Sequence, residues 1–270
     1  MEIKVLGPLA ISEQNATIVP SATKPRQLLA LLALRCNRTV STATLIDEIW
    51  GEEVPKSASA TLHTYVMQIR RKISAAVGGP RGSAREILQT SYSGYAILGQ
   101  ADNSDIAEFR HLSTRGTFAL ESGDPRSASR LLRQALDLWR GSALEGVRLG
   151  PVLRIDAMSL EEERLGTLRQ RITADFQLGR HSALIAELRV QVMQLPMDEN
   201  FSTQLMEALY RSGSAWRALE EYQRLRRCLV GELGVEPSAR AQSLQRTILA
   251  GDSLDDLRTV EWSGSNRLLS

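Results

Sequence analysis

The 270 residues predict a mixed, mainly α chain: a small α+β domain over about residues 1–100, then an all-α domain over 104–250. Three observations carry this. Strand-like runs occur only before residue 100, where they flank three helical stretches. From Asp105 to Ala250 the apolar spacing is helical throughout, and glycines mark the junctions. Two stretches of that second half also coincide when one is shifted by 34 residues. The length itself favours two cores, at roughly 100–200 residues per domain.

Ile3-Lys4-Val5-Leu6 and Thr17-Ile18-Val19 read as short strands, separated by turn residues at Gly7-Pro8 and Glu13-Gln14-Asn15. Thr23–Arg35 reads as a helix. Pro25 fits its first turn, and Leu28, Leu29, Leu31, Leu32 and Leu34 form a broad apolar face that must be well buried. A second helix, Thr42–Trp50, follows Ser41 as N-cap, turns Leu45, Ile46, Ile49 and Trp50 towards a core, and ends at Gly51 and Pro55. The third spans about Ser57–Ala76 and stops at Gly78-Gly79-Pro80. Glu86–Thr90 and Tyr95–Leu98 then read as a hairpin turning at Ser91-Tyr92-Ser93-Gly94. Three helices followed by a two-stranded hairpin make a winged helix-turn-helix, in which the last helix enters the major groove and the wing approaches the backbone or minor groove.

The third helix carries the sharpest signal. At about 100° per residue, Leu62, Val66, Ile69 and Ile73 fall on one narrow stripe. Opposite lie Ala60, Thr64, Met67, Gln68 and Arg71, with Arg70 and Lys72 on the two shoulders. Short donors and acceptors such as Thr and Gln suit base edges, while Arg and Lys suit the phosphates on either side. An ordinary amphipathic helix with a solvated polar face has the same spacing, and it is the winged-helix context that favours DNA. Charge is compatible: residues 1–100 hold 11 Lys/Arg against 7 Asp/Glu, so this part is +4 and the remainder −2. A local basic excess is what phosphate binding requires, although surfaces that bind nothing often carry as much.

In the second half, helix starts are marked at Asp105, which pairs with Glu108 as a capping box, at Asp124-Pro125, at Asp198 and at Pro237. The helices read as 105–121, 125–139, 151–178, 181–194, 198–211, 215–232 and 237–249, and most of the short connections imply antiparallel neighbours. Asp-Phe-Gln-Leu-Gly179, followed by Leu184 and Leu188, matches Ala-Leu-Tyr-Arg-Ser-Gly213, followed by Ala218 and Tyr222, at the 34-residue period of tetratricopeptide repeats. Gly123, with Ala128 and Leu132, repeats the arrangement without the regular spacing. Stacked helix pairs bury an interior and leave a surface suited to partners, though many helical bundles show such glycines without a binding role. Residues 251–270 are polar and weakly periodic and read as a flexible tail without assigned function.

Several classes are disfavoured. No run of about 18 apolar residues occurs, and the start lacks a signal peptide's basic and apolar regions, so a cytoplasmic protein is expected. Cys36 and Cys228 supply neither a disulfide framework nor metal-ligand spacing and read as buried small residues. His63, His111 and His181 lack the neighbours of a metal site or catalytic triad, and no Gly-Lys-Ser/Thr marks a P-loop. Glu161, Glu162 and Glu163 are consecutive on a helix, point in different directions and read as a charged face. A non-enzyme without metal or cofactor is expected.

Lys-Pro-Arg-Gln-Leu-Leu-Ala-Leu-Leu-Ala-Leu at 24–34, Leu-Ile-Asp-Glu-Ile-Trp-Gly at 45–51 and Ala-Thr-Leu-His-Thr-Tyr-Val at 60–66, after the two N-terminal strands, resemble a Streptomyces antibiotic regulatory protein. Ala-Leu-Asp-Leu-Trp-Arg-Gly at 135–141, Leu-Gly-Arg-His at 178–181, Ala-Leu-Tyr-Arg-Ser-Gly at 208–213 and Glu-Leu-Gly-Val-Glu-Pro at 232–237 resemble that family's bacterial transcriptional activation domain. The resemblance covers about residues 1–250. It implies an OmpR-type winged helix fused to a tetratricopeptide-like domain, activating secondary-metabolite genes.

It further implies binding to direct repeats of double-stranded DNA near a promoter as a side-by-side homodimer, and recruitment of RNA polymerase holoenzyme through the sigma factor and neighbouring subunits. Thr61, Thr64, Tyr65, Gln68 and Arg71 would lie in the major groove, with Arg70 and Lys72 towards phosphates. The loop holding Glu52, Glu53, Val54, Pro55 and Lys56 would face the polymerase, its two glutamates able to pair with basic sigma residues or simply be solvated. Many relatives carry an Arg before the wing tip where this chain has Ser91, so the wing would give backbone contacts from Thr90, Ser91 and Tyr92. Longer relatives append a nucleotide-binding domain, and ATP-linked control is not expected here. A second reading stays open, that of a helical-repeat adaptor whose winged helix binds protein.

Overall fold

The computed structural model describes residues 1–13, 16–78, 82–99 and 104–252; the turn residues Gln14, Asn15, Gly79 and Pro80 and nearly all of the expected tail lie outside the described residues. At the N-terminus β1 (Glu2–Lys4), β2 (Ala10–Glu13) and β3 (Ala16–Thr17) form an antiparallel sheet in that order, with Ile3 opposite Ile11. The middle strand is not legible in the sequence, because Ile11 is its one fully buried residue and leaves little alternation to read.

Helix α1 (Thr23–Leu34) is buried from Gln27 to Ala33, as its leucine run requires. Helix α2 (Thr42–Trp50) begins at Ser41, whose Oγ accepts the Thr44 N–H at 3.0 Å. Helix α3 (Ala58–Val77) ends where Gly78 turns left-handed at φ 64°. A second sheet has the order β4-β6-β5, built from β4 (Val40–Ser41), β5 (Leu88–Thr90) and β6 (Gly94–Ile97). A Cβ on Gly94 would overlap the Val40 carbonyl, so only glycine lets β4 lie this close. The hairpin expected to open at Glu86 opens at Leu88 instead. Residues Gly82–Ile87 form α4, a short helix that packs on α3 and buries Ala84.

The remaining helices are α5 (Asp105–Glu121), α6 (Pro125–Asp137), α7 (Pro151–Gln177), α8 (His181–Gln194), α9 (Glu199–Arg211), α10 (Ala215–Leu233) and α11 (Ala239–Ala250). Two compact units result, the first running to Ala174 and the second beginning at Asp175, so the division falls inside α7 and the boundary expected near residue 100 lies within the first unit. There one apolar core runs from Ile3 through the α1 leucines to Ile106, Phe109, Trp139, Leu153 and Leu160.

Buried charge joins the same parts. Glu48 of α2, 1% exposed, accepts the N–H groups of Gly150, Val152 and Leu153 at 2.7–2.9 Å and one from the Gln27 amide. Its carboxylate thus caps α7, where Pro151 starts the helix and the dipole favours negative charge. Asp105 does not build the expected capping box with Glu108. Its carboxylate accepts the Val5 and Leu6 N–H groups at 2.9–3.0 Å and pairs with Arg140, which leaves Ser104 as N-cap. In the second unit α9 packs against α8, α10 and α11. Leu184, Leu188, Ala218 and Tyr222 are all buried, and Gly179 and Gly213 take matching left-handed turns at φ 72° and 79°. Helix α11 starts after Ser238, which accepts the Ala241 N–H, and not at Pro237. Both cysteines are half-buried.

Candidate nucleic-acid interface

The two faces of α3 separate as its spacing requires. Leu62, Val66, Ile69 and Ile73 are at most 1% exposed, and they seat the helix on α1, α2 and the N-terminal sheet. Thr64, Gln68 and Arg71 are exposed on the opposite face, with Thr61, Tyr65, Met67 and Lys72 half-exposed beside them. The Thr64 hydroxyl donates to the Ala60 carbonyl at 3.1 Å, so its oxygen faces outward as an acceptor. Gln68 offers a donor and an acceptor together, the pair that recognises an adenine edge bidentately.

The two shoulders of this helix differ. On one, the Tyr65 ring stacks on Trp50 of α2 at 6.1 Å and 14°, and the Lys24 ammonium lies 5.0 Å over the same indole. On the other, Arg70 does not reach outward as expected. It is 9% exposed, and its guanidinium donates twice to the Leu88 carbonyl (2.8 and 3.1 Å) and once to Thr90 Oγ1 (2.8 Å). Burial holds its pKa below the ordinary value, with the charge of Arg85 acting in the same direction. At about 240° from Thr64, position 70 points at β5, so its cation ties helix to wing.

The wing residues are placed unequally. Thr90 is exposed, but its hydroxyl accepts from Arg70. Ser91 gives both its N–H (2.9 Å) and its hydroxyl (3.3 Å) to the Gly94 carbonyl, closing the turn. Tyr92 stands fully out at the tip. Between α2 and α3, Glu52, Glu53, Val54, Pro55 and Lys56 are all exposed, following Gly51 at φ 54°. No helix is long and apolar enough to cross a membrane among the described residues, and no group of three His, Cys, Asp or Glu could hold a metal among them. Of the consecutive glutamates, Glu161 accepts the Ala143 N–H and Glu163 takes both arms of Arg110.

Sequence reasoning passed over Glu48, Gln27 and Lys24. A signal existed for the first, since Glu48 interrupts the stripe of Leu45 and Ile49, where only a satisfied charge is tolerated.

Residues 104–249 match the family model of the bacterial transcriptional activator domain, and residues 16–97 match that of the C-terminal domain of transcriptional regulatory proteins. The chain is 45% identical over 253 residues to the regulatory protein DnrI of Streptomyces peucetius, with 93% of each chain covered. It is 35% identical over 262 residues to the transcriptional regulator RedD of Streptomyces coelicolor, covering 97% of this chain and 74% of RedD. Mycobacterium tuberculosis EmbR, solved in complex with a low-affinity phosphopeptide, shares the fold with a TM-score of 0.85 at 32% identity, over 96% of this chain and 67% of EmbR.

Proposed function

The chain belongs to the Streptomyces antibiotic regulatory protein family of transcriptional activators, and from that membership we propose that it binds promoter DNA in a sequence-specific manner. One observation carries the reading: α3 turns Thr64, Gln68 and Arg71 outward from a helix whose other face is fully seated. Thr61 and Tyr65 border that face, Lys72 serves a phosphate, and Tyr92 brings the wing to the backbone. Arg70 supports the interface from within.

Family membership also supports binding to direct repeats as a homodimer, control of a secondary-metabolite gene cluster, and recruitment of RNA polymerase holoenzyme. For the last, the projecting loop Glu52–Lys56 offers two carboxylates and the exposed Val54 to basic sigma residues. Footprinting of the whole protein on its own genomic neighbourhood, with and without holoenzyme, tests the reading. Tandem protected repeats beside a promoter, extended by polymerase, are expected; protection without sequence preference in both conditions overturns it. Gln68→Ala is expected to relax preference at one base, at a cost of about 1–3 kcal/mol.

A further inference from the structure

We propose that Lys24, at the start of α1, holds a DNA backbone phosphate beside the recognition helix, a role that rests on the DNA-binding reading above. The residue stands where its charge is least welcome. The first turn of a helix is the positive end of its dipole, so a cation there is destabilising unless an anion is supplied. The first turn of α1 contains no acidic residue, and its N-cap, Ala22, brings no side-chain acceptor. Among the described residues no carboxylate lies within ion-pair distance of Lys24. The positive pole of α1 and the Lys24 ammonium therefore stand at the same end of the helix with no acidic residue in its first turn.

Two rings set where that ammonium lies. Lys24 Nζ lies over Trp50, and Trp50 stacks on Tyr65. These contacts, at 5.0 and 6.1 Å, put the Lys24 ammonium on the Tyr65 shoulder of α3, the side that meets one wall of a major groove when the helix lies in it. Lys72 is seven residues from Tyr65 and shares its shoulder, one cation for the C-terminal part of that side. Lys24 supplies the cation at the N-terminal part, which α3 itself lacks. An ammonium resting on a π face keeps N–H donors for another acceptor. The indole thus holds the long side chain in place without consuming its charge.

Fluorescence anisotropy of the full chain with a mixed-sequence duplex of about 30 bp, titrated across roughly 50–200 mM salt, tests the assignment. Lys24→Met keeps the apolar stem over Trp50 and removes only the charge. It is expected to lower affinity about 3–10-fold at the low-salt end and to reduce the slope of log affinity against log salt by about one, while Lys24→Arg retains both. Arg71→Ala is the reference for a contact on α3 itself. If Arg71→Ala lowers the slope and Lys24→Met leaves it at the wild-type value, the Lys24 assignment is overturned and the DNA reading stands. If the wild-type protein shows no salt-dependent binding, both fall.

Discussion

The two compact units solve the problem of burying polar groups at different ranges along the chain. In Met1–Ala174 the buried or half-buried charges reach far: Asp105 to Val5, Glu48 to Gly150 and Arg35 to Asp156 span 100 to 121 residues. In the second unit Asp175 pairs with Arg180 five residues on, Glu221 with Arg224 three residues on, and the farther bonds of Arg224 reach back only to Ser202 and Pro196. The first unit is stitched by polar bonds across 100 residues or more, whereas in the second the polar bonds described reach one or two helices along the stack, Glu199 accepting the Ser238 N–H 39 residues on. The range of these bonds decides how far a single change spreads. In a stack it stays local. In a stitched unit it detaches elements that only tertiary structure brings together.

Glu48→Ala is therefore expected to have the largest effect. It strips three backbone N–H groups and the Gln27 amide of one shared acceptor in a site closed to water, and it uncaps α7. A loss of about 3–5 kcal/mol is expected, read as a lowered urea midpoint. Glu48→Gln does not rescue it, because an amide NH2 would face donors. A stability within about 1 kcal/mol of wild type, the ordinary cost of an unremarkable substitution, would remove the strongest example of long-range stitching.

In the stack, Leu188→Ala empties a fully buried position of α8 and is expected to cost about 3 kcal/mol. Its signature is spatial: faster hydrogen exchange in α8 and α9, the helices in direct contact, before the rest of the second unit. Uniform acceleration throughout α8–α11 would show that the stack is more cooperative than its local bonding suggests. Arg70→Ala is expected to cost about 2 kcal/mol by leaving the Leu88 carbonyl short of its donors, and to leave the salt slope of DNA binding unchanged. A slope reduced by about one would return Arg70 to the phosphates.

The contrast also explains what the sequence made legible. The α1 leucines, the Leu62–Ile73 stripe and the Gly179/Gly213 period are local patterns, and helices with such patterns form where the spacing puts them. The outer face of α3 is equally legible, since the places of Thr64 and Gln68 follow from the same arithmetic that buries Val66. Arg70 lies on the boundary of the two faces, where periodicity cannot say whether a long cation turns out to solvent or in to a carbonyl. The α5 cap escapes for a related reason: Asp105 has the right spacing to Glu108, but the N–H groups of Val5 and Leu6, 100 and 99 residues away, claim its carboxylate. Non-local partners leave no trace in spacing.

The smallest effect concerns a purely local cap. Asp124 precedes α6 and accepts the Ser127 N–H at 3.0 Å, and hydrogen bonds from the Ser127 side chain and backbone hold its carboxyl below the ordinary 3.8. A depressed folded-state pKa means that the ionised group stabilises the fold fully above the unfolded value. That contribution is lost as pH falls from 3.8 through the folded value. Asn is an equally good N-cap but does not titrate there. Asp124→Asn is therefore expected to keep the urea midpoint nearly unchanged at about pH 7 and to flatten its decline as the pH falls below 3.8. Because the cap is solvent-exposed and its partner is three residues away, the effect should stay within the first turn of α6. An acid decline equally steep in both proteins would mean that Asp124 carries no linkage, and that even the local bonds of the first unit matter only where buried contacts hold them.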